Sequence, residues 1–181
     1  MTDYKFRGIA SRDFNSSIGD VTIKKGQWVF GCMLHDVGIR NTKDRRVFIA
    51  NFIYTGDGCM ECGAPVMNQI EVIPETVGLF SGIHDNTKWD DLTDQEKDAW
   101  LKADKTQEEW KGREIYENDI VTGDLDFEPT GRVGLTGKII FQSGMFLFWR
   151  GEYDFCELKR YHNIKVIGNI HNNGELLEVK K

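Results

Sequence analysis

Short apolar runs rich in β-branched and aromatic residues, each closed by turn residues, fill both ends of this chain, and a helix-like pattern appears only in the middle. Residues 21–23, 28–34 and 47–54 read as strands. They are separated by Lys24-Lys25-Gly26-Gln27 and by a polar turn around Asn41 to Asp44, which predicts a meander. Residues 69–72 resume as a strand that Pro74 halts, because proline offers the ladder no N–H. Thr93-Asp94-Gln95-Glu96 has the form of a capping box and predicts a helix over 94–103, with Trp89, Leu92, Ala99, Trp100 and Ala103 along one side. The β pattern returns in 115–121, 138–141, 145–149 and 164–170, with Gln142-Ser143-Gly144 as a hairpin link. The expected fold is mainly β, or β-rich α+β. It has an N-terminal β-rich part (1–86), an acidic helical insert (87–111) and a C-terminal small SH3-like barrel (112–181). Tyr116, Ile120, Phe141 and Ile167 are the expected contributors to the second core.

With 181 residues, 40% of them apolar, the chain can bury a core without covalent staples. The formal charge of −6 is uneven: residues 1–84 carry nine basic and nine acidic side chains, 85–111 five and nine, and 112–181 nine and eleven. Most of the excess negative charge therefore sits in residues 85–111, and no region has the basic excess that nucleic-acid modules usually show. Four cysteines, a start without an apolar signal core and no apolar run long enough to span a bilayer point to a cytoplasmic protein with reduced thiols and no membrane partner.

Candidate chemistry is sparse. Cys59-x-x-Cys62 in a glycine-rich loop can grip one side of a tetrahedral zinc ion, and Cys32 and His35 are the nearest residues able to complete the site. Residues three apart on a strand face opposite sides, however, so free surface thiols are the simpler reading and no metal or cofactor is assigned. Arg40, Lys43, Arg45 and Arg46 read as a solvated hairpin tip before they read as a phosphate site. His84 beside Asp85 reads as turn structure before it reads as an oriented base, and no catalytic set or phosphate-binding loop is present. Phe141, Phe146, Phe148 and Trp149 offer either core packing or a stacking surface for single-stranded nucleic acid. In the acidic insert Trp89, Trp100 and Trp110 are unusual, since indole rings are costly to leave in water and are enriched at interface hot spots. They serve either to recognise a partner or to staple the insert to its neighbouring β parts.

Three segments in order, Glu114-Ile115-Tyr116-Glu117-x-Asp119-Ile120-Val121, Gly137-Lys138-Ile139-Ile140-Phe141 and Ile164-x-Val166-Ile167-Gly168-Asn169-Ile170, resemble the YopX family of phage and prophage proteins. Lys5-Phe6-Arg7-Gly8, Trp28-Val29-Phe30-Gly31 and Val72-Ile73-Pro74-Glu75-Thr76-Val77-Gly78 also fit. The resemblance implies a small, β-rich cytoplasmic protein of a bacterial host, encoded on a mobile element, and it brings no catalytic residues. This chain departs from the pattern twice: the insert separates Asp85 from Gly112, and Asn118 stands where glycine is frequent. The leading expectation is a non-enzymatic accessory protein that binds a protein partner or self-associates. The alternative is a nucleic-acid-binding module built on an SH3-like barrel, and the third reading is a zinc-binding protein through Cys59 and Cys62.

Overall fold

The computed structural model describes residues 5–15, 22–35, 47–53, 66–102, 105–125 and 132–178. The chain forms two compact units, Met1–Phe80 and Ser81–Lys181. It is mainly β and built of antiparallel sheets; among the described residues there is one α-helix, and no helix is long and apolar enough to cross a membrane.

In the first unit the strands are β1 (Phe6–Ile9), β2 (Phe14–Asn15), β3 (Thr22–Ile23), β4 (Trp28–His35), β5 (Val47–Ile53) and β6 (Val66–Val72), followed by the start of β7 (Gly78–His84). β4, β5 and β6 pair in sequence, as the meander expectation requires. The sequence pattern does not single out β1, which lies between β4 and β7. Ala10, Val29, Ile70 and Val72 form a small core with Phe6, Phe14, Ile23 and Val77 against it. Pro74 opens a 3-10 turn, Pro74–Thr76, rather than merely ending the strand. The Thr76 hydroxyl accepts from the Ile9 amide at 2.8 Å and donates to the Ile73 carbonyl at 2.7 Å, so the buried Ile9 amide gains a partner.

The second unit contains the end of β7, its hydrogen-bonded neighbour β8 (Glu114–Tyr116), and a five-stranded sheet. That sheet comprises β9 (Asp119–Leu125), β10 (Arg132–Gln142), β11 (Met145–Gly151), β12 (Asp154–Glu157) and β13 (Tyr161–Asn169). The chain runs up and down from β9 to β12, and a 3-10 turn at Leu158–Arg160 then returns it so that β13 pairs with β9. Ile115, Val121, Leu125, Ile139, Phe148, Leu158, Tyr161 and Ile164 make the core, with the Phe148 and Tyr161 rings stacked at 4.1 Å. Tyr116 and Ile120 are buried as expected.

Two expected core residues are not buried: Phe141 is 42% and Ile167 41% exposed. Phe141 lies on the same face of β10 as buried Ile139 but one step nearer the hairpin tip, past the rim of the core, where its ring meets Phe146 at 4.8 Å. Ile167 follows Val166, which packs on the core, so strand alternation turns Ile167 to the other face.

Candidate functional site

The residues between β7 and β8 form an excursion that leaves and rejoins the second unit at one neck, and Asp85 makes that neck. Its carboxylate is 4% exposed. Oδ1 accepts from the amides of Thr87 at 3.0 Å and Arg113 at 2.8 Å, and Oδ2 accepts from the Thr87 hydroxyl at 2.8 Å and the Val166 amide at 3.0 Å. The Asp85 amide in turn donates to the Arg113 carbonyl at 2.8 Å, and the Asn86 amide to the Ile164 carbonyl at 2.7 Å. Burying a carboxylate is costly unless donors surround it, and here four donors do so. Gly112 completes the neck with a φ of +107°; a Cβ there would sit 2.0 Å from the Asp85 carbonyl oxygen, so no other residue fits.

Above the neck, a 3-10 turn at Trp89–Asp91 leads through buried Leu92 to α1 (Asp94–Lys102). The expected capping box forms: the Glu96 amide donates to the Thr93 hydroxyl oxygen at 3.3 Å, and Glu96 Oε2 accepts from the Thr93 amide at 2.9 Å and its hydroxyl at 2.8 Å. The Arg113 guanidinium reaches Glu96 Oε1 at 2.9 Å, which ties the helix start to the neck. Partial burial pushes the Glu96 carboxyl up, but the hydrogen bonds from Thr93 and Arg113 outweigh it and hold the group below its ordinary range. The expected apolar side of the helix is a correction: no residue of α1 is buried, Ala99 faces solvent, and Leu101 is exposed. Ala103 lies outside the described residues.

The structure brings the three tryptophans of this segment together. Trp110 meets Trp89 edge-to-face at 6.2 Å and Trp100 at 5.0 Å. Its indole N–H donates to the Thr87 carbonyl at 2.9 Å, while that of Trp100 donates to the Thr106 carbonyl at 2.8 Å. The Lys105 ammonium stands 4.1 Å from the Trp100 ring centroid. The rings therefore pack on each other as a small core of the excursion, and each is only half-buried. Trp89 and Trp110 line an open groove of about 520 Å³ together with Asn86, Lys88, Gln107 and Lys111. Sequence reasoning missed the lysines and the whole neck; the one local signal for the neck is Asp85-x-Thr87, a side-chain turn.

The signature segment is structural in its details. Asp119 and Asn169 are buried and paired across β9 and β13, and Asp119 Oδ2 accepts from the Tyr116 amide at 2.8 Å. Asn118 has a φ of +71°, the conformation that favours glycine, which explains that departure from the family pattern. On β9, Asp124 is held below the ordinary carboxylate range by hydrogen bonds from the Asn163 amide and the Gly134 backbone N–H.

Cys59, Cys62, Arg40, Lys43, Arg45 and Arg46 lie outside the described residues, as do the side chains of Cys32 and His35. Among the described residues no three His, Cys, Asp or Glu side chains converge as a metal site. The comparisons with known proteins give one match. No curated protein and no solved structure matches the chain. A family model described as YopX protein matches residues 77–178, more than half of the chain and including the signature segments, the neck and the excursion. This protein therefore belongs to the YopX protein family.

Proposed function

We propose that this YopX family member is a phage- or prophage-encoded accessory protein of the host cytoplasm that works by binding a protein partner through the 87–111 excursion, without catalysis. One observation carries the reading: the excursion is held at a single neck, buries no residue of its helix, and keeps three half-exposed tryptophans beside a groove. A segment that adds nothing to the β core yet gathers indole rings fits an interface better than a scaffold. Self-association through the same surface is the other form of this reading.

The test is affinity capture from producing cells, with nuclease treatment, using the wild-type chain and a variant whose residues 90–109 are replaced by a glycine-serine link. A protein retained by the first and lost by the second supports the reading. Identical capture by both contradicts it.

A second reading rests on a separate observation. The strand order β12-β11-β10-β9-β13, with a 3-10 turn before the last strand, supports reading this sheet as the SH3-like barrel expected from the sequence, a fold that also serves nucleic-acid binding. On its β10–β12 face the Lys138 ammonium stands 4.4 Å from the Trp149 ring centroid, opposite exposed Phe155. Mobility shifts of single-stranded oligonucleotides that weaken steeply with salt would favour it.

A further inference from the structure

The two ends of the five-stranded sheet are unequal. β12 closes one end with four residues, Asp154–Glu157, two of them acidic, and is short and charged as exposed sheet edges usually are. β13 closes the other end with nine, and its middle, Ile164-Lys165-Val166-Ile167, holds three β-branched residues, one charge and no proline. A strand of that composition with free backbone N–H and C=O groups is a template for another strand.

The neck occupies that edge. The Val166 amide donates to Asp85 Oδ2 at 3.0 Å, and the Ile164 carbonyl accepts from the Asn86 amide at 2.7 Å. These are the two contacts that an antiparallel neighbour would make with residues 164 and 166, with a carboxylate oxygen standing in for a strand carbonyl. The Thr87 amide and hydroxyl and the Arg113 amide hold the same carboxylate, so its position does not depend on β13 alone.

The sequence and symmetry of β13 decide what an uncovered edge would pair with. Val166 turns its N–H away from β9, and the C=O of a strand residue points to the same side as its N–H. Two copies related by a two-fold axis at Val166 can therefore exchange both bonds. In that register Lys165 of one copy faces Ile167 of the other, and both are exposed, so no like charges meet. β13 is irregular on each side of Lys165–Val166, which confines the pairing to a few residues and keeps it weak.

We propose that the neck guards the β13 edge. While Asp85 and Asn86 hold Val166 and Ile164, the chain does not pair there; when the neck opens, two copies of the chain associate by antiparallel pairing of β13 about Val166. This surface is separate from the tryptophans of the excursion.

Sedimentation velocity of the full chain over a concentration series tests this with four proteins: wild type, Asp85→Asn, and Asp85→Asn combined with Ile167→Lys or with Ile167→Asp. Asparagine turns an NH₂ group toward the Val166 N–H and frees it while keeping part of the neck. That variant should dimerise at least about tenfold more tightly than wild type. Ile167 is exposed, so neither substitution there disturbs the core. Lysine at 167 meets Lys165 of the second copy and should return the chain to wild-type behaviour. Aspartate at 167 meets the same lysine and should tighten the dimer about twofold to thirtyfold, because the axis creates two such pairs. Thermal unfolding of each variant reports the folded fraction. Where an opened neck only unfolds the chain, aggregates form whatever charge stands at 167. A monomeric Asp85→Asn chain, or association insensitive to the charge at 167, therefore overturns the proposal. The excursion is intact in all four proteins, so neither result bears on the binding function proposed for it.

Discussion

Replacing Asp85 by alanine removes the acceptor of four hydrogen bonds at the neck, from the Thr87 amide and hydroxyl, the Arg113 amide and the Val166 amide. Each such bond to an ionised acceptor is worth about 1.5–3 kcal/mol, but the four share one carboxylate and do not add. Water entering the vacated space satisfies part of what is lost, so the expected cost is about 3–5 kcal/mol, the usual range when one partner of a buried charged network is removed. A unit of this size has on the order of 5–15 kcal/mol of stability, and the variant should therefore lose roughly a fifth of it or more. Asp85→Asn should be intermediate at about 1–3 kcal/mol, because its amide oxygen can still accept two bonds while its NH₂ group opposes the Val166 N–H. Urea unfolding followed by tryptophan fluorescence gives the energies, and amide exchange at Arg113 and Val166 reports the neck directly. A loss below about 1 kcal/mol in the alanine variant with unchanged exchange at Val166 would refute the account of the neck.

Gly112→Ala should leave the chain poorly folded, because its Cβ would meet the Asp85 carbonyl oxygen at 2.0 Å; Gly82→Ala, also at positive φ but with open space around it, should cost only about 1–2 kcal/mol in the same unfolding assay. Asn118→Ala, at a φ of +71°, should cost about 1 kcal/mol and Asn118→Gly little, as read by thermal unfolding. Ile164→Ala should cost about 2–5 kcal/mol, whereas Ile167→Asp should fall within about 1 kcal/mol of wild type, and the reverse order would mean that the face of β13 is misassigned. Glu96 is depressed from a reference of 4.5, so its contribution to helix capping is present above that value and is lost as pH falls through the lower folded pKa. The group is well exposed, so the effect should stay below about 1 kcal/mol, and the acid-induced loss of helical circular dichroism should be reduced in Glu96→Gln.

The β class, the meander of β4 to β6 and the helix at Asp94 follow from local signals: alternation, turn residues and a capping box whose members lie three apart. The neck was not legible in the same way. Asp85 meets Arg113 across 28 positions and Val166 across 81, and no window of sequence shows that a carboxylate will be saturated by amides so distant. Phe141 and Ile167 show a related limit. Hydrophobicity marks both as strand residues, but the rim of the core and the face of β13 are set by the register with neighbouring strands. The tryptophans could be singled out by their cost in an acidic segment. Their packing on each other, and the use of two of their N–H groups to close the excursion, depend on backbone carbonyls that the sequence does not place.

The most direct test of the excursion as a detachable recognition element is the two-dimensional amide NMR spectrum of the chain with residues 90–109 replaced by a glycine-serine link. Because Asp85 and Arg113 already stand in hydrogen-bond contact, closing the shorter loop is inexpensive. The account predicts a dispersed spectrum in which the amides of core residues Val121, Ile139 and Phe148 keep their wild-type shifts, with changes confined to the vicinity of the neck. A collapsed spectrum, or shifts spread through those core amides, would show that the replaced residues, Trp100 among them, belong to the scaffold and would contradict it.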